Sequence, residues 1–93
     1  MDPTEALGLA SGAARYGQLR FTDHAIDQMQ ERGATVNDVE AAVSSATSAA
    51  YDRGQGTWKL AGGVDLDGSP LDVVVAFGGN RVRVITVVEG QTP

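Results

Sequence analysis

His24 is the only histidine of the chain, and it stands in FTDHAIDQMQERG, residues 21–33, eight residues before Arg32. An imidazole in the first turn of a helix meets the positive end of the dipole, which favours the neutral form that can accept a proton. The alternative is an ordinary polar residue on a solvated helix face. Arg32 also has two readings, a cation for a substrate or a side chain that closes the helix C-terminus. Cysteine chemistry is excluded: the chain has no cysteine, so it offers no thiolate nucleophile, zinc thiolate or disulfide.

With 12 acidic and 7 basic residues the formal charge is -5, so the generic basic footprint of a nucleic-acid binder is missing. The cations are unevenly spread, however. Arg81 and Arg83 alternate in one segment while Arg53 and Lys59 flank another, and local positive potential can coexist with an acidic bulk. Arg81 and Arg83 also fit a solvated strand end. No apolar run approaches the ~20 residues of a membrane span, and the first twenty residues lack the basic start and apolar centre of a signal peptide. No membrane partner is expected.

At 93 residues the chain has the size of one small domain. Residues 1–20 are rich in Ala and Gly and read as a leader or weak helix, with Thr4 as a possible cap; residues 21–90 read as the domain proper. Thr22 as N-cap, Phe21 before it and Ile26 after it form a hydrophobic staple, which predicts a helix over 23–32 ended by Gly33. Ala25, Ile26 and Met29 would face the core, with His24, Asp27, Gln28 and Glu31 opposite and Arg32 on the flank. Thr35 and Asp38 in TVND start a second helix over about 36–47.

The period then changes. TWKLAGG (57–63), LDVVVAF (71–77) and RVRVITVV (81–88) are rich in β-branched residues and separated by turn compositions, which predicts an antiparallel meander with a short extra strand near 50–53. On the last strand Val82, Val84, Thr86 and Val88 would share one face, and Arg81, Arg83, Ile85 and Val87 the other. The expected fold is α+β: two or three N-terminal helices packed on one face of a three- to four-stranded antiparallel sheet, leaving the other face for a site. Asp65 and Asp67 in VDLDG suggest a cation loop, but the calcium-loop pattern fails after them and a hairpin turn explains D-G better.

The order FTDHAIDQMQERGATVNDVEAAV, YDRGQGTWKLAGG and DGSPLDVVVAFGGNRVRVITVV resembles the bacterial family called domain of unknown function 4258. Its pattern is a helix with H-A-x-x-R-M-x-x-R-G, a second helix with a T/S-x-x-D/E start, a Tyr-containing segment, a Lys- or Arg-bearing strand and a last strand ending in I-T-V. The resemblance covers roughly residues 20–88. His24, Ala25, Met29, Arg32, Gly33 and Thr86 agree with it, whereas Gln28 stands where an arginine is expected. The family in turn is similar to the barnase, EndoU, colicin and RelE group of small α+β ribonuclease toxins. That similarity implies a RelE/barnase-like fold and metal-independent RNA cleavage by the ribose 2′-hydroxyl, with no cofactor.

Such cleavage requires a base for the 2′-proton, an acid for the leaving oxygen and a cation or donor for the charged phosphorane. His24 is the candidate base or acid, with Arg32, Lys59 and Thr86 as catalytic companions; Tyr51, Arg53, Arg83 and Gln28 are candidates for substrate binding. His24 and Arg32 would lie ~12 Å apart along the helix, so they need not touch the same oxygen. Ordinary readings stand beside these. Thr86 is a common strand residue, Tyr51 fits the edge of a core as well as a base-stacking role, and Trp58 fits the core. The expected partners are RNA (tRNA or mRNA) and a cognate antitoxin or immunity protein. The expected site of action is the bacterial cytoplasm, with delivery as the C-terminal domain of a secreted effector a further possibility. The alternative function is a non-catalytic binding module, an immunity protein or an inactive toxin homologue, supported by Gln28 and a pI of about 4.5.

Overall fold

The computed structural model describes residues 1–90. Helix α1 runs Pro3–Arg15, strand β1 Leu19–Phe21, helix α2 Asp23–Arg32 and helix α3 Val36–Ser45, followed by strands β2 Ser48–Asp52, β3 Thr57–Ala61, β4 Leu71–Gly78 and β5 Arg81–Glu89. The five strands form one sheet in the order β1-β5-β4-β3-β2. Strands β2 to β5 are an antiparallel meander, but β1 joins β5 in parallel, with Leu19, Arg20 and Phe21 opposite Val82, Arg83 and Val84. The fold is α+β as expected, whereas the three- to four-stranded antiparallel sheet is corrected to a five-stranded mixed one. A three-residue strand is too short to show a period of its own, and its parallel pairing joins residues more than sixty positions apart.

Each helix begins on a cap. Asp2 accepts from the Glu5 N–H, and Thr22 accepts from the Ala25 N–H. Thr35 and Asp38 form a full capping box, each side chain bonding the other's backbone N–H. Gly33 closes α2 in the left-handed region (φ 67°), with Ala34 N–H reaching back to the Met29 carbonyl.

Helices α1 and α3 pack together on one sheet face. The buried side of α1 is entirely alanine, Ala6, Ala10 and Ala14, one turn apart, so its backbone can sit close to its neighbours. Helix α3 contributes Val39, Ala42 and Val43. Against them the sheet presents Leu19, Trp58, Leu60, Leu71, Val73, Val75, Val82, Val84 and Val87. Gly63 passes so close to the Ala42 carbonyl that no Cβ fits there, which fixes where the chain from β3 crosses α3.

The predicted faces of β5 hold only for its first half. The register slips between Val74 and Val75, so Val75 pairs with Val84 while Val74 pairs with Thr86, and Ile85 is the extra residue of a β-bulge. Beyond it the alternation reverses: Val82, Val84 and Val87 point into the core, and Arg83 and Thr86 share the opposite, outer face. The reading that put Val87 with Arg83 and Thr86 with Val84 is corrected by that one inserted residue.

Candidate functional site

Strand β1 ends at Phe21, two-thirds short of covering β5. The rest of that edge is carried by α2, whose side chains replace a strand. Thr22 bonds the Val84 carbonyl through its N–H at 3.1 Å and through its hydroxyl at 3.2 Å. Farther along, Gln28 Oε1 accepts from the Val87 N–H at 2.8 Å, and Arg32 Nε donates to the Val87 carbonyl at 3.3 Å. The two side chains together satisfy both backbone groups of a residue that is fully buried. Gln28 is half-buried here and Ile26 is 39% exposed, so the inner stripe of α2 is Ala25, Gln28, Met29 and Arg32, correcting the stripe expected from apolar residues alone.

Around α2 the order of side chains at helical spacing is Met29, Ala25, Arg32, Gln28, His24. His24 therefore occupies the flank next to Gln28 and away from Met29. It is exposed, is the second residue of the helix, and makes no hydrogen bond or ion pair with a described residue. An acid or base for an external substrate needs this freedom.

The outer sheet face brings together three of the expected residues. Lys59, Val74 and Thr86 form one row across β3, β4 and β5, which puts the Lys59 and Thr86 backbones ~10 Å apart by strand spacing. Arg83 lies on the same face beyond the bulge, opposite Ala76. Lys59, half exposed, meets the carboxylate of Asp72 at 3.7 Å, the single ion pair among the described residues. Asp72 is itself buried although it faces outward, so the lysine covers it. An ion pair with one half-exposed partner holds loosely and leaves the ammonium reachable from solvent.

Other candidates lie elsewhere. Tyr51 is opposite Trp58, on the helix-covered side of the sheet, with the two rings tilted at 49° and their centroids 5.1 Å apart. Its ring is half exposed and lines a shallow hollow with Met1, Gly56, Trp58 and Phe77, away from Lys59 and Thr86. Arg53 sits in the β2–β3 turn, which Asp52 organises by accepting from the Gly54 and Gln55 N–H groups. Asp65 does the same for the turn before β4, accepting from Asp67 and Ser69 N–H groups, in keeping with the hairpin reading of VDLDG.

Arg20 is the residue that sequence reasoning missed. Parallel pairing sets it directly beside Arg83 on the outer face, and it lay in the segment read as a leader. The alternation Leu19, Arg20, Phe21 before the Thr22 cap spans three residues, too few to mark a strand, so no local signal pointed to it.

No helix among the described residues is long and apolar enough to cross a membrane. Neither a curated protein nor a solved structure matches the chain. Residues 21–89, from the residue before the Thr22 cap of α2 to the end of β5, match the family described as Domain of unknown function (DUF4258), and the chain belongs to that family.

Proposed function

We propose that the protein is a small bacterial ribonuclease toxin that cuts RNA by attack of the ribose 2′-hydroxyl on the adjacent phosphorus. The observation that carries this reading is an unpartnered imidazole, His24, in the first turn of α2, on a helix laid along the β5 edge whose outer face bears Thr86 and Arg83. In that scheme the 2′-oxygen bonds to phosphorus as its proton leaves, the 5′-oxygen departs with a proton, and a 2′,3′-cyclic phosphate remains. His24 serves one of the two proton transfers, Thr86 donates to a phosphate oxygen, and Lys59 and Arg83 offset the charge of the phosphorane. Arg32 and Gln28 act indirectly, by holding α2 on β5. The partners would be tRNA or mRNA and a neutralising antitoxin or immunity protein. Action would be in the bacterial cytoplasm, after delivery on a secreted effector if the domain is the end of one.

The test is incubation of the purified protein with total RNA or tRNA in EDTA, beside His24→Ala. Cleavage by the first and not the second supports the reading; intact RNA in both, with no growth arrest on expression, overturns it. A second reading, a non-catalytic binding module, is favoured by one observation: Gln28 and Arg32, two of the eight candidate side chains, are spent on the backbone of Val87. Expression of such a module would be harmless, and it would form a stable complex without altering RNA.

A further inference from the structure

Arg20 and Arg83 stand in register on neighbouring strands, so their backbones are ~4.8 Å apart and their side chains leave the same face. Both are exposed, and neither forms an ion pair or a side-chain hydrogen bond with a described residue. Like charges placed side by side on a sheet repel. A chain with 12 acidic residues could relieve them with a carboxylate, yet the position opposite Arg83 on the other side is Ala76. The one outer-facing carboxylate of β4, Asp72, is buried against Lys59 instead. The pair is thus left open for an anion from outside.

The rest of that face limits what the anion can be part of. Besides Arg81, exposed at the start of β5, its remaining side chains in the central strands are Val74, Ala76, Thr86 and Val88, half-buried and small, with no aromatic ring among them. Bases have nothing to stack on there, in contrast to single-strand binders that use aromatic platforms. Phosphate remains as the group such a face can recognise, and planar guanidinium forks suit it.

We propose that Arg20 and Arg83 form a paired-guanidinium subsite for a backbone phosphate of single-stranded RNA, next to the Lys59–Val74–Thr86 row and indifferent to base identity. The choice of RNA as the polyanion rests on the ribonuclease reading above; the pairing of the arginines does not. The experiment measures binding without cleavage, using fluorescence anisotropy of 2′-O-methylated twelve-nucleotide oligomers in EDTA, titrated with salt. Blocking the 2′-oxygen removes the nucleophile, so affinity is read apart from catalysis. Arg20→Gln and Arg83→Gln should each flatten the slope of log affinity against log salt, by up to about 0.7, the value for one lost phosphate contact on a single strand, and the double variant by no more than that because the pair holds one phosphate. The effect should be equal for oligo-A, oligo-U and mixed sequence. Arg20→Lys should keep the slope and lower affinity, since a point charge replaces a fork. Arg15→Gln, in the last turn of α1, should leave both unchanged. Thermal melts establish that the variants fold, as exposed positions allow.

A slope unaltered in Arg20→Gln, or a change confined to one base composition, overturns the subsite, and so does an absence of binding by the unsubstituted protein. Cleavage of unmodified RNA is scored in parallel. Arg20-dependent binding with no cleavage sinks the catalytic reading and sustains the subsite. Cleavage with an unaltered slope does the reverse.

Discussion

Replacing Gln28 by leucine should cost the fold a measurable part of its stability, although the residue sits on the surface of a helix. The side chain is the sole acceptor for the Val87 N–H on that side of β5, at 2.8 Å, and Val87 is fully buried. Leucine keeps the bulk and the helix propensity but leaves a buried donor with no partner, which costs about 1–3 kcal/mol. For a domain of this size each kcal/mol moves the melting temperature by about 4–8 °C, so a fall of roughly 5–20 °C is expected. Gln28→Arg, which installs the residue suggested by the family pattern, should be no milder, because a guanidinium has donors only. Gln28→Glu retains an acceptor and should melt close to the unsubstituted protein. Arg32→Met leaves the Val87 carbonyl short of its donor, a smaller loss of about 1 kcal/mol. Since both side chains serve one residue, the double variant should deviate from additivity. Thermal melts followed by circular dichroism and Trp58 fluorescence give the stabilities, and hydrogen exchange of the Val87 amide reads the bond itself. A Gln28→Leu protein that melts within about 2 °C of the parent, with the Val87 amide still protected, would refute the reasoning.

Three other consequences follow from the packing and the caps. Gly63→Ala places a methyl against the Ala42 carbonyl and should destabilise by more than about 2 kcal/mol, seen as a shifted urea midpoint with an unchanged slope. The Asp38 carboxyl is held below its ordinary value of 3.8, first by the Thr35 backbone N–H and then by that of Leu66. A depressed carboxyl contributes stability that is present above the unfolded value and lost as pH falls through the folded one, so Asp38→Asn should flatten acid unfolding below pH 3.8 while lowering the midpoint at pH 7; an acid limb identical to the parent's would contradict this. Ala10→Leu should also destabilise, because α1 meets α3 and the sheet through alanines and has no room for a larger side chain, whereas Leu9→Ala on its exposed flank should change the melting temperature little.

Much of the fold was legible because local signals and tertiary structure agree. Thr22 and Gly33 mark the two ends of α2, and Thr35 with Asp38 marks the start of α3, since caps are decided by the few residues that form them. The three later strands carry β-branched runs between turn residues, and two of them end within a residue of where composition puts them. Helix α1 was faint for a physical reason. Its buried stripe is Ala6, Ala10 and Ala14, with Leu7 only partly buried against the core and Leu9 half exposed, so what drives its packing is closeness of approach more than large apolar area.

Which residues share the outer face was hidden by a different cause, and Thr86 shows it most clearly. Strict alternation groups Thr86 with the buried Val82 and Val84, where its hydroxyl would be a packing element. One extra residue at Ile85 reverses the second half of β5 and turns Thr86 outward beside Arg83. A bulge has no period of its own and leaves only a run, Ile85-Thr86-Val87-Val88, in which either assignment of faces looks acceptable. After Val84 the edge of β5 no longer continues the ladder that β1 began, so the backbone groups of Val87 have no strand to meet and take Gln28 and Arg32 instead. Gln28 and Arg32, which look in the sequence like candidates for substrate contact, instead tie α2 to β5. His24, Arg83 and Thr86 keep side chains with no hydrogen bond or ion pair to a described residue, and so does Arg20, whose place beside Arg83 depends on a parallel pairing that no local pattern encodes.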